Sequence, residues 1–198
     1  MLHYISTRDT TASWDGLFTQ EELNAINDYC SNLTLEDAHI GNVRTEDSIE
    51  SDIRKSKVAW IHRNNDTDWI FNRYDGAVQR INSSLFCVDV DPLQQLQFTV
   101  YTGEGDHYDW HWDMRTASDL STPEIIRQRK ISVVTQLNDP SSYEGGILRV
   151  APCGQIYDID KKKGLTSIFL SFVNHVVTPV TSGMRYSLVG WYEGPDWR

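Results

Sequence analysis

The run from Tyr101 to Asp113 concentrates two histidines and four carboxylates in thirteen residues. On an extended strand, residues two apart point to one face, so a His-x-Asp pair aims an imidazole and a carboxylate at one point. Two such pairs are present, His107/Asp109 and His111/Asp113. All four residues share strand parity, and periodicity alone does not choose between the pairs. A second imidazole is available at His175, just before Thr178-Pro179. Two histidines and one carboxylate on one face of an ion leave the opposite positions open, the arrangement of non-haem Fe(II) oxygenases.

An isolated His-x-Asp is common on protein surfaces without a metal, so the reading needs a second group. Arg185 lies ten positions after His175, beyond Ser182-Gly183, which reads as a turn leading into the next strand. A guanidinium fork suits the distal carboxylate of a dicarboxylic acid, which it can hold through two parallel charge-assisted hydrogen bonds. Ser187 and Trp191 share the strand parity of Arg185 and supply a hydroxyl and an apolar wall. A lone arginine would more often pair with a surface acid.

These residues must be positioned by strands. From about residue 95 the chain reads as short apolar runs bounded by turn residues, with candidate strands at 96–101, 108–113, 130–137, 147–150, 155–159, 165–172, 174–180 and 184–191. Eight strands without intervening helices predict a closed or double-sheet architecture such as a jelly roll. Helical signals are confined to the first half. Thr19-Gln20-Glu21-Glu22 reads as a capping box, with Phe18 and Leu23 as its hydrophobic staple, followed by Ile26 and Tyr29 at helical spacing. A second helix is expected after Asp66 or Thr67, carrying Trp69, Ile70, Val78 and Ile81, and a strand at Val58–Ile61. The polar stretches 35–52 and 114–128 read as loops, the second long enough for a binding loop.

At 198 residues the chain suits a single domain, with helical support over about 1–94 and a jelly-roll core over about 95–192. A formal net charge of −10 counts against non-specific binding to nucleic acid or anionic membranes. No segment reaches the ~18 apolar residues needed to span a bilayer, and the N-terminus lacks a signal-peptide apolar region. Three scattered cysteines form no disulfide framework, and the expected compartment is the cytoplasm.

With the motifs laid out, the chain resembles the prolyl 4-hydroxylase branch of the 2-oxoglutarate- and Fe(II)-dependent dioxygenases. Tyr101, Tyr108, His111 and Asp113 follow a spacing similar to that of the hypoxia-type prolyl hydroxylases, and Gly145-Gly146-Ile147-Leu148-Arg149 resembles their GGxLR strand. The run His175–Arg185 is similar to the distal histidine and 2-oxoglutarate anchor of the wider family. The resemblance implies His111, Asp113 and His175 as iron ligands, selecting them over His107/Asp109 by the position of Tyr108. It implies Arg185 as the partner of the 2-oxoglutarate C5 carboxylate, with Tyr101, Gln136, Ser187 and Trp191 around the cosubstrate. Arg129 and Tyr108 become substrate contacts, and the 114–128 loop takes the place of a substrate lid, offering Met114, Arg115, Ile125, Ile126 and Arg127.

Two positions depart from the pattern. Gln136 stands where hypoxia-type enzymes place a tyrosine, though an amide can still donate to 2-oxoglutarate. Collagen-type enzymes usually have lysine where this chain has Arg185. The implied reaction uses Fe(II), 2-oxoglutarate and O2, with ascorbate as a reductant, and releases succinate and CO2. Asp113 argues for hydroxylation over halogenation, because a halide would need the carboxylate's position. A prolyl residue in a protein or peptide is the expected substrate. A small molecule or free amino acid on the same core is the alternative, and a jelly-roll metal-binding module without turnover is a third.

Overall fold

Thr19 starts the first helix by satisfying its free N–H groups. Its hydroxyl accepts from the Glu22 N–H at 3.2 Å, and the Glu22 carboxylate accepts from the Thr19 N–H at 2.9 Å. This capping box opens α1 (Gln20–Ser31), which buries Leu23, Ile26 and Cys30, while Phe18 is buried just ahead of it. The second helix, α2 (Asp68–Ile81), follows Thr67 and buries Ile70, Phe71, Tyr74, Ala77, Val78 and Ile81 along one stripe. Both helices match the expected positions. The computed structural model describes residues 2–4, 10–39, 52–115 and 127–197. Ile125, Ile126 and the middle of the 114–128 loop lie outside the described residues, as do residues 40–51 of the acidic stretch.

Fourteen strands are present among the described residues: β1 (Leu2–Tyr4), β2 (Thr11–Trp14), β3 (Glu36–Asp37), β4 (Arg54–Lys55), β5 (Lys57–His62), β6 (Gln95–Thr102), β7 (His107–His111), β8 (Gln128–Gln136), β9 (Tyr143–Gly145), β10 (Leu148–Ala151), β11 (Tyr157–Asp158), β12 (Thr166–Leu170), β13 (Asn174–Val177) and β14 (Val180–Gly194). The large sheet runs β1-β2-β12-β8-β14-β6-β5-β3, with β9 also on β14, and the small sheet runs β11-β10-β13-β7-β4. This is the double-sheet architecture expected of a jelly roll, packed by two helices. The first 94 residues do more than supply helices: β1, β2, β3 and β5 extend the large sheet and β4 the small one. Among the described residues, no helix is long and apolar enough to cross a membrane.

The central strand β8 is almost wholly buried on both faces, and its alternation says which face does what. Thr135 accepts or donates to the Tyr74 hydroxyl of α2 at 2.6 Å and to Thr166 at 2.8 Å. Ser132 and Val134 point the other way, towards the small sheet. β14 alternates in the same sense: Tyr192 donates to Asp75 of α2 at 2.9 Å, while Arg185, Ser187, Val189 and Trp191 line the opposite face.

Ser182-Gly183 does not separate two strands. β14 is continuous from Val180 to Gly194, exchanging β9 for β6 as its neighbour after Gly183. Gly183 makes the bend with φ +71°, and a Cβ there would lie 2.1 Å from the Ser142 carbonyl oxygen. That combination leaves room only for glycine.

Candidate metal centre

β7 and β13 pair antiparallel, with His111 opposite His175 and Tyr108 opposite Val177. Three residues of β7 therefore span the distance that two of β13 cover, and the extra residue is a β-bulge. A bulge shifts side-chain parity by one. Tyr108 thereby joins His111 on one face, their rings stacked 3.5 Å apart at 15°, and His107 is turned away. The expectation that all four His-x-Asp residues share a face fails for this reason. Both ring nitrogens of His107 face backbone carbonyls, of Gly105 at 2.9 Å and Asp52 at 3.1 Å. Asp109 accepts from the Trp110 N–H on the outside.

His111, Asp113 and His175 converge instead, their ligand atoms within 4.8 Å of one another. Nε2 of His111 lies 3.8 Å from Oδ1 of Asp113, and Nε2 of His175 lies 3.6 Å from Oδ2. Each imidazole has its Nδ1 against a carbonyl two residues before it, Asp109 at 2.7 Å and Val173 at 3.0 Å. A carbonyl only accepts, so Nδ1 carries the proton and Nε2 presents a lone pair inwards. Burial, followed by the neighbouring His175, pushes the His111 pKa down to about 3. Burial works to raise the Asp113 carboxyl, but His175, His111, Arg129 and the Ser132 hydroxyl outweigh it and hold the group below the usual carboxylate range. Two inward-facing imidazole nitrogens beside an ionised carboxylate form a donor set that fits a divalent transition metal.

A pocket opens from the triad over the β6–β14 face. At one end Arg185 is fully buried. Its Nη1 donates to Ser187 Oγ at 3.3 Å, its guanidinium lies 5.3 Å from the Tyr101 ring centre, and Nε and Nη2 have no partner. A buried cation with idle donors fits an incoming carboxylate. Gly146, at φ +58°, lets the chain pass over it, since a Cβ there would be 2.8 Å from Arg185 Cδ. Tyr108 and Trp191 line the pocket walls, and burial keeps the Tyr108 phenol neutral, its pKa raised to about 12.

Two of the expected contacts sit outside the pocket lining. Gln136 is buried opposite Ser187 with its Oε1 unpartnered. Arg129 stacks its guanidinium 4.0 Å over the Trp191 ring.

Sequence reasoning missed three contributors. Ser132 donates to Asp113 Oδ2 at 2.6 Å and contacts the Ser171 hydroxyl at 2.9 Å. A hydroxyl alternating with apolar residues inside a doubly buried strand was the available signal. Arg54 and Gln97 line the pocket far from Arg185, and nothing local in the sequence marks them. The ends of the 114–128 loop are held together: the Gln128 amide bonds both the N–H and the carbonyl of Arg115, whose guanidinium reaches the Arg127 carbonyl and Glu193.

Comparison with known proteins agrees with this geometry. The profile of the 2OG-Fe(II) oxygenase superfamily matches residues 96–193, which include all three triad residues and Arg185. The chain is 34% identical over 112 residues to a PKHD-type hydroxylase of Azoarcus sp. (strain BH72), covering 56% of this chain and 48% of the relative. It thus spans about half the length of that relative. A Pseudomonas putida prolyl-4-hydroxylase superposes with TM-score 0.69 at 22% identity, over 94% of both chains. A prolyl hydroxylase from Trichoplax adhaerens, in complex with a hypoxia inducible factor peptide fragment, superposes with TM-score 0.70 at 20% identity, over 93% of this chain and 83% of that one. Fold, donor set and motif order converge: the chain belongs to the 2OG-Fe(II) oxygenase superfamily, whose enzymes use Fe(II), 2-oxoglutarate and O2.

Proposed function

We propose that this protein hydroxylates a prolyl residue within a peptide or protein, converting 2-oxoglutarate and O2 to succinate and CO2. The observation that carries the oxygenase reading is the triad of His111, Asp113 and His175 sharing one pocket with Arg185, whose Nε and Nη2 are unpartnered. Fe(II), when held by the triad, supplies O2 activation coupled to decarboxylation of the cosubstrate. The remaining work belongs to the chain. Arg185 takes the far carboxylate of 2-oxoglutarate, and Ser187 holds the guanidinium fork in place. The two Nδ1–H bonds fix the imidazoles so that each would offer Nε2 to a bound ion.

The prolyl part of the reading is supported by the similarity to the prolyl hydroxylases of Pseudomonas putida and Trichoplax adhaerens, the second bound to a peptide. The aromatic walls at Tyr108 and Trp191 suit a pyrrolidine ring, which presents apolar faces and no N–H to read. The test is succinate formation with proline peptides, read with mass spectrometry of the peptide for one added oxygen on proline. Turnover of free proline or another small molecule at higher kcat/KM than any peptide would overturn the prolyl-peptide reading. No oxygen-dependent succinate formation with any substrate would overturn the enzyme reading itself.

A further inference from the structure

Arg54 is the second guanidinium in the pocket, and its contacts among the described residues are all to neutral groups. It is 8% exposed. Its Nε donates to the Ser56 hydroxyl at 3.0 Å and its Nη2 to Gln97 Oε1 at 2.9 Å. Its guanidinium carbon lies 4.6 Å from the centre of the Tyr108 ring, the ring that stacks on His111. Among the described residues no carboxylate lies within ion-pair distance of it, and no hydrogen-bond partner takes Nη1. Other partly buried arginines do have acids: Arg63 holds Asp68 and Asp75, and Arg115 holds Glu193. A buried cation without a counter-charge is unfavourable unless a ligand brings the charge in.

Strand register sets Arg54 apart from the cosubstrate anchor at Arg185. Tyr101 pairs with Arg185, Thr99 with Ser187 and Gln97 with Val189 along the β6–β14 floor. Gln97, which accepts from Arg54, is four residues from Tyr101, about 13 Å along the strand at ~3.3 Å per residue, so the two arginines are held over different stretches of the floor. Arg54 therefore sits towards the other end of the floor from Arg185, against the Tyr108 ring, in the part of the pocket left for a primary substrate. Gln97 also accepts from the Thr99 hydroxyl at 3.3 Å, which fixes the amide that aims the guanidinium.

We propose that Arg54 receives a carboxylate of the primary substrate, making this enzyme selective for targets that carry an acidic group next to the reacting residue. On the prolyl reading above, on which this rests, the acid is an Asp or Glu neighbouring the proline or the free C-terminal carboxylate of the peptide.

The test is binding of matched short proline peptides to protein loaded with Zn(II) and 2-oxoglutarate. The pairs are Asp against Asn after proline, Asp against Asn before it, and a free C-terminal carboxylate against its amide. The discriminating pair identifies the source of the charge. One pair is expected to bind about 10- to 100-fold tighter as the acid, as expected for a charged hydrogen-bonded pair. Arg54→Gln should erase that preference, and Arg54→Lys should keep only part of it, because the point charge survives and the fork does not.

The proposal is overturned if no pair discriminates in the wild-type protein, or if the preference persists in Arg54→Gln. Should Arg54→Gln not fold, an undiminished preference in Arg54→Lys overturns it equally. Hydroxylation with the Fe(II)-loaded protein is read separately. Acid-selective binding without proline oxidation would sink the prolyl reading and leave Arg54 standing. Proline oxidation without charge preference would do the reverse.

Discussion

The Ser132 hydroxyl donates a 2.6 Å hydrogen bond to Oδ2 of Asp113, a residue nineteen positions away in the chain. Ser132 comes from the centre of β8 in the large sheet, while Asp113 follows the end of β7 in the small sheet. The bond therefore ties the candidate carboxylate ligand to the opposite sheet. Ser132→Ala is expected to lower metal affinity about 10- to 100-fold, the usual loss when a ligand's supporting hydrogen bond is removed. Calorimetric titration of the metal-free protein with Mn(II) would measure it. An unchanged affinity would mean that the Asp113 N–H bond to the Ser171 carbonyl, at 2.9 Å, is enough to orient the ligand.

The bulge in β7 predicts which His-x-Asp pair matters. His111→Ala and Asp113→Ala should each abolish metal-dependent succinate formation, whereas His107→Ala and Asp109→Ala should retain metal binding. If the 107/109 variants lose the metal and the 111/113 variants keep it, the parity shift between Tyr108 and His111 has been misassigned.

Arg185 should set cosubstrate affinity. Arg185→Ala removes the charge partner of a buried carboxylate, worth roughly 2–5 kcal/mol, and is expected to raise the KM for 2-oxoglutarate steeply. Arg185→Lys should be milder, since a point charge remains. Gly146→Ala should also raise that KM, because its methyl group would meet Arg185 Cδ and strain a left-handed backbone position. Steady-state kinetics with varied 2-oxoglutarate separate the three, and a KM unmoved by Arg185→Ala would assign the anchor to another cation.

Acid should destabilise the metal-free protein. His111 ordinarily titrates near 6.5 and is held at about 3 in the fold, so the unfolded chain binds an extra proton between those values. Stability is then lost as pH falls from about 6.5 towards 3, by at most about 1.4 kcal/mol per pH unit for one proton. Asp113, with its lowered pKa, adds a loss of the same sign lower in that range. Urea unfolding at pH 7, 5 and 4 should show a falling midpoint, with a shallower slope in His111→Gln. A midpoint unchanged from pH 7 to 4 would contradict the buried neutral imidazole.

Much of this protein is legible locally. The capping box at Thr19 and Glu22, the apolar stripe of α2 and the strand runs after residue 95 are decided by residues within one turn or one strand of each other. Local steric and solvation preferences suffice to read them. The same holds for the candidate ligands, since His-x-Asp, a later histidine and an arginine ten residues on form a motif along the chain. Long-range pairing decided the rest. The register of β7 on β13 inserts the bulge that picks His111 over His107. β4 pairs with β7 at the edge of the small sheet, from where the Arg54 side chain reaches Gln97 of the large sheet, forty-three residues away, and β8 delivers Ser132 to Asp113. A register is a property of two strands and the core they share, so one strand's sequence states which residues alternate but not which neighbours they meet.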